Sequence, residues 1–161
     1  MKKGFSFIVM VVSMMGLLGC NTVKKEDIEG VWLLKTEYEE IKGDTVEKNK
    51  VGYAYVHFYF EGEILKNKIT SGNFETLEEA KRLSYEDIET LFELEGHVGE
   101  EPWYEKPGIL KGDINIGNTV MTLKYTAKTI EGYVEFEGEV LGDLVSGYIK
   151  ITGTKTSVKL T

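Results

Sequence analysis

An all-β fold, built as an antiparallel up-and-down barrel of about eight strands with a short two-helix insertion near residues 75–95, is predicted by three features of the sequence. Apolar residues recur at every second position through most of the chain, the signature of strands with one buried face. Each alternating segment closes on Gly, Asn or Asp, the residues that turn a strand back onto an antiparallel neighbour. Gly52, Gly112, Gly132, Gly138 and Gly147 fall on the inward parity, where a missing side chain permits the coiling that closure demands. An open sheet of that length would leave a bare edge and an apolar face, so a closed barrel is the better solution, although a sandwich is also compatible with alternation.

The first twenty residues stand apart from this pattern. Lys2 and Lys3 precede an apolar run from Phe5 to Leu18, and small Gly19 precedes Cys20. That is the layout of a secretory signal, and the run is shorter than the roughly 20 residues a membrane-crossing helix needs. Residues 1–19 are therefore expected to be cleaved, residues 20–27 to form a cysteine and polar tether, and residues 28–161 to form a single domain. Cys20 is the only cysteine, which excludes an intrachain disulfide.

The strands follow in order. In Val31 to Glu39, Trp32, Leu34, Thr36 and Tyr38 share one face; in Val51 to Glu61, Ala54, Val56, Phe58 and Phe60 alternate with Tyr53, Tyr55, His57 and Tyr59. Glu63 to Ile69 follows the Glu61-Gly62 turn, and Lys42-Gly43-Asp44 offers a further short strand before Val51. The C-terminal half reads as a meander: Ile109–Ile116, Thr119–Ala127, Ile130–Val140, Leu144–Ile151, and Thr154–Leu160 after a turn at Gly153. Between the halves, Thr76 with Glu79 and Ser84 with Asp87 have the spacing of two helix starts in which side chains satisfy the first free amides. Leu77, Ala80 and Leu83, then Tyr85, Ile88, Leu91 and Phe92, supply apolar faces at helical spacing. Such helices either cap an open barrel end or cover an outer apolar face.

Two resemblances extend this reading. Leu17-Leu18-Gly19-Cys20 resembles the lipobox of bacterial lipoproteins, which implies diacylglyceryl transfer to the Cys20 sulfur, cleavage before Cys20 and acylation of the new amine. Several acyl chains anchor stably where one binds marginally. The implied location is the bacterial cell envelope, with the lipid bilayer as a partner; Asn21 in place of an aspartate leans to the outer membrane in a host with two. Gly30-Val31-Trp32, preceded by Ile28 and followed by Leu33-Leu34, resembles the Gly-x-Trp opening of lipocalins and lipocalin-like lipoproteins. That family encloses a small apolar ligand, its tryptophan closing one barrel end and stacking with a late arginine; Trp32 takes the first role here, and Lys155 or Lys159 stands in for the second. The chain has no Thr-Asp-Tyr element.

Two functions follow. One is non-catalytic binding of a small apolar or amphipathic molecule inside the barrel, lined by Trp32, Tyr38, Ala54, Phe58, Leu123, Tyr125 and Phe136. The other is a filled barrel that meets a protein partner through the aromatic loop holding Trp103 and Tyr104 between Pro102 and Pro107, or through the Tyr53-Tyr55-His57-Tyr59 face; the burial usual for tryptophan favours packing of Trp103 over the barrel end instead. The inward residues are mostly large, which points to a filled barrel or a small cavity. The formal charge of −8, made more negative by removal of Lys2 and Lys3, argues against nucleic acid as a partner. With Arg82 the only arginine, a guanidinium cluster is unavailable. No triad or nucleophile context appears around His57 or His97, so neither an enzyme nor a cofactor is expected. His57 reads as a groove histidine, and His97 among Glu93, Glu95, Glu100 and Glu101 as a solvated acidic loop. Glu131, Glu135, Glu137 and Glu139 share the outward parity of one strand and read as a solvated face that resists edge aggregation, so no metal site is expected.

Overall fold

The computed structural model describes residues 23–42, 44–70, 74–116, 119–140 and 143–160. They form one antiparallel sheet of nine strands: β1 (Gly30–Lys42), β2 (Thr45–Glu61), β3 (Ile64–Thr70), β4 (Phe92–Glu100), β5 (Tyr104–Lys106), β6 (Ile109–Ile116), β7 (Thr119–Tyr125), β8 (Thr129–Val140) and β9 (Asp143–Lys155). Their order across the sheet is β4-β3-β2-β1-β9-β8-β7-β6-β5. Three short helices accompany it, α1 (Lys25–Ile28), α2 (Leu77–Lys81) and α3 (Tyr85–Thr90).

The all-β architecture agrees with the pattern of the sequence, but the closed eight-stranded barrel does not form. Among the described residues no ladder joins the terminal strands β4 and β5, and the sheet is open. Strand β5 has three residues and pairs with β6 only at Tyr104 and Lys106, which is too little to carry a seam. The sheet nevertheless coils until β4 meets β6 by backbone packing: a Cβ placed on Gly112 would stand 1.8 Å from the Val98 carbonyl oxygen. Gly112→Ala is therefore expected to cost about 1–3 kcal/mol in urea unfolding by forcing the two strands apart. Gly62→Ala, with a φ of +62° and no atom within 4 Å of the added carbon, should cost only about 1 kcal/mol, through backbone strain alone. Equal losses from the two would contradict the close approach.

Strand boundaries differ from expectation at three places, each for a local reason. The turn at Gly153 is absent, because Asp143–Lys155 runs unbroken and pairs through Gly153 with both β1 and β8. The glycine serves packing: a Cβ there would stand 2.6 Å from Leu34 Cδ2. Strand β4 arises where helix and acidic loop were read, since Phe92, Leu94, Gly96 and Val98 alternate with Glu93, Glu95 and His97. Lys42-Gly43-Asp44 is no separate strand, for Lys42 pairs with Thr45 across the hairpin from β1 to β2.

The sheet buries both faces. On the inner face Trp32, Leu34, Val56, Phe58, Leu65, Leu110, Leu123 and Ile130 join the main core. On the outer face Val31 and Tyr55 are buried under Ala80 of α2 and Ile88 of α3, with Leu33, Tyr53, Phe74, Val158 and Leu160 packed around them. The two helices thus cover an outer apolar face. Their starts are as the spacing implies: Thr76 Oγ1 accepts from the Glu79 amide at 3.2 Å, and Ser84 Oγ from the Asp87 amide at 3.2 Å. The Tyr55 hydroxyl locks α2 down by donating to the Ala80 carbonyl at 2.8 Å. After β9 the chain crosses back over β1, where the Thr156 amide and hydroxyl both donate to the Val31 carbonyl, at 2.9 and 2.8 Å.

The expected tether is ordered in its second half. Lys25–Ile28 is helical, Ile28 is buried, and Val23 packs against the core. Lys25 Nζ pairs with Glu63 at 3.1 Å, so the domain begins within a few residues of Cys20.

Candidate functional site

The inner residues proposed to line a ligand cavity are packed against one another. Trp32 and Phe58 are fully buried in one cluster with Leu123 and Tyr125, and Ala54 is buried on the same face. Trp32 donates its indole N–H to the Ile28 carbonyl at 2.8 Å, and the Lys155 ammonium lies 5.8 Å from its ring centroid while donating to the Glu26 carbonyl at 2.5 Å. Lys155 thus lies beside the Trp32 ring, and α1 packs against that indole through Ile28. Burial pushes the Tyr125 phenol up, with the Gly108 backbone amide opposing it. Tyr38 is half-buried further along β1, its hydroxyl donating to Glu40 at 3.2 Å. The Phe136 side chain and the whole of Cys20 lie outside the described residues.

Trp103 packs into the core, the favoured one of the two uses read for this loop, and is not available as an exposed contact. Trp103 is 1% exposed, with ring centroids 5.6 Å from Phe60, 5.2 Å from Tyr104 and 5.4 Å from Tyr125. An indole facing the core gains more than one facing water, and the surrounding rings complete its shell. Tyr104 is half-buried against it.

The Tyr53-Tyr55-His57-Tyr59 face is divided. Its first half lies under the helices; its second half holds His57 between Tyr59 and Phe92, at ring distances of 5.3 and 6.1 Å. The Tyr59 hydroxyl donates to Glu95, and burial together with that carboxylate holds the phenol well above its ordinary range. Burial first, then the Lys68 ammonium, holds the His57 imidazole below the usual histidine value, against the pull of Glu89. The unfolded chain takes up this proton as pH falls through about 6.5 while the folded chain resists it. Stability is therefore expected to fall as pH drops below that point and to level off beneath the folded value. His57→Gln should flatten that part of the pH profile in urea unfolding; an unchanged slope would place its origin elsewhere.

Where the inner face is filled, the outer face of β7 and β8 carries a groove beside a short ladder. Among the described residues their ladder consists of Lys124 opposite Glu131 and Tyr125 opposite Ile130. Beyond it lies a cleft of about 340 Å³ lined by Ile109, Thr122, Lys124, Glu131, Gly132, Tyr133 and Lys150. Gly132 gives it a thin floor: a Cβ there would stand 2.5 Å from Met121 Sδ and 2.6 Å from Leu123 Cδ2, so core side chains lie directly behind the backbone. Tyr133 is 55% exposed at the rim, stacked on Tyr148 at 5.6 Å and donating to Glu135 at 3.2 Å. A hydrogen bond to Glu39, with burial, pushes the Tyr148 phenol up to about 12.

Two smaller grooves exist. One of about 210 Å³ lies on the outer face beside α2, between Leu33, Tyr53, Leu77 and Thr152. Another of about 260 Å³ lies near Val23, Asp27, Pro107 and Tyr125. Sequence reasoning missed the cleft because its residues come from four strands. The available signal was Tyr133, a large aromatic on the same outward parity as Glu131, Glu135 and Glu137. Among the described residues no three His, Cys, Asp or Glu side chains gather into a metal-binding group. The chain matches no protein-family model, and no curated protein is similar to it.

Proposed function

We propose that this protein is a bacterial lipoprotein, held at the cell envelope through acylated Cys20, whose lipocalin-like domain binds a small apolar or amphipathic molecule without transforming it. The observation that carries the reading is the β7–β8 cleft, a concave site with an apolar rim at Ile109 and Tyr133 and the main core directly behind Gly132. The ligand site is thereby moved from the packed interior around Trp32 to the outer face. The resemblance of Leu17-Leu18-Gly19-Cys20 to a lipobox supports the anchor, and Asn21 supports the outer membrane where the host has two. A domain that starts so close to its anchor sits against the bilayer, where amphipathic molecules are concentrated.

Native mass spectrometry of the full-length protein, released from membranes in mild detergent, tests this. Two additions are expected: a covalent diacylglyceryl mass abolished by Cys20→Ser, and a non-covalent mass whose occupancy falls several-fold in Tyr133→Ala. Absence of the covalent mass would refute the anchor, and absence of any non-covalent mass would refute the binding function.

A further inference from the structure

We infer that the β7–β8 cleft selects a single-chain fatty carboxylate, holding its head between the ammonium groups of Lys124 and Lys150. The inference rests on the binding function proposed above and names the chemistry of its ligand. The domain is acidic overall, yet two of the cleft's lining residues are lysines brought together from β7 and β9. Among the described residues neither ammonium lies within salt-bridge distance of a carboxylate. Lys25, Lys35 and Lys66, by contrast, each pair with a glutamate.

The carboxylates around the cleft have other partners or other positions. Glu37, opposite Lys150 on β1, accepts from Lys35 at 2.8 Å and feels the Lys150 charge only through space, without an ion pair between them, and Glu135 accepts from Tyr133. Glu131 stands opposite Lys124 and contributes the one negative charge of the lining. An incoming carboxylate would meet two charged donors, the stronger class of hydrogen bond. A doubly charged phosphate monoester would place its second charge against Glu131 and Glu135, which disfavours it. The acyl chain would lie along Ile109 and the Tyr133 ring, and the absent side chain of Gly132 brings it to the backbone over Met121 and Leu123. Ile109 and Tyr133 are the two large apolar side chains of the lining, which fits one chain better than two.

The test uses the full-length protein in phosphatidylcholine vesicles, with three diazirine-bearing C16 probes: the fatty carboxylate, the neutral fatty alcohol and the alkyl phosphate monoester. Crosslinked peptides are mapped by mass spectrometry in wild type and in the Lys124→Gln/Lys150→Gln double variant, with thermal melting to confirm folding. The carboxylate probe is expected to label the β6–β8 peptides and to lose at least tenfold of its yield in the double variant, since each of the two lost charged hydrogen bonds is by itself worth about tenfold. Labelling by the alcohol should be weaker in wild type and equal in the two proteins. Carboxylate labelling unchanged in the double variant, or phosphate labelling stronger than carboxylate, would overturn the head-group assignment while leaving the binding function standing. No labelling of β6–β8 by any probe would overturn both.

Discussion

Replacing Trp32 with alanine is expected to remove about 3–5 kcal/mol of folding stability, the range for emptying a fully buried large aromatic site. Total stability of a domain this size is roughly 5–15 kcal/mol, so the urea midpoint should fall by about a fifth or more with the slope unchanged. Trp32 is fully buried, and its indole N–H satisfies the Ile28 carbonyl at the end of α1. The loss therefore combines cavity and hydrogen bond, and it loosens the segment that joins the domain to Cys20. Trp32→Phe separates the two contributions: most of the volume stays, the Ile28 carbonyl loses its partner, and about 1–3 kcal/mol should be lost. Far-UV circular dichroism against urea measures both. A loss below 1 kcal/mol in Trp32→Ala would mean that this end of the core is not packed around the indole.

Trp103→Ala should be nearly as damaging, again about 3–5 kcal/mol. The prediction separates two roles for one residue. An exposed partner contact would be replaced at little cost to stability, with loss of binding alone. A core plug surrounded by Phe60, Tyr104 and Tyr125 would be replaced at large cost, because those rings cannot collapse into the space of an indole. Thermal and urea unfolding of this variant decide it, and a stability within 0.5 kcal/mol of wild type, the usual range for surface substitutions, would refute the plug.

Particular residues show how far the sequence could be read. The β1 face of Trp32 and Leu34, the β2 face of Val56 and Phe58, and the caps at Thr76 and Ser84 were legible, because period and capping are local properties. Gly153 was misread since a glycine between two apolar runs signals a turn equally well whether it bends the chain or makes room for Leu34. Strand β4 was obscured by its acidic outward residues and by helical spacing just before it. Burial of Trp103 is expected of a tryptophan, but its partners Phe60 and Tyr125 lie far from it in the sequence and only the fold places them beside it. The cleft was illegible for a similar reason: Ile109, Lys124, Tyr133 and Lys150 occupy four strands, and nothing in their separate neighbourhoods links them.

Alternation along each strand, the turn residues and the two capping pairs set the class of this fold and most of its inner face, since each depends on neighbours a few positions away. The open edge between β4 and β5, the docking of α2 and α3 on the outer face, the burial of Trp103 and the short ladder between β7 and β8 depend on how far the sheet coils. Coiling sums small twists over nine strands and is limited by contacts between distant backbones, as at Gly112 and Val98. That sum appears only when all the strands are in place.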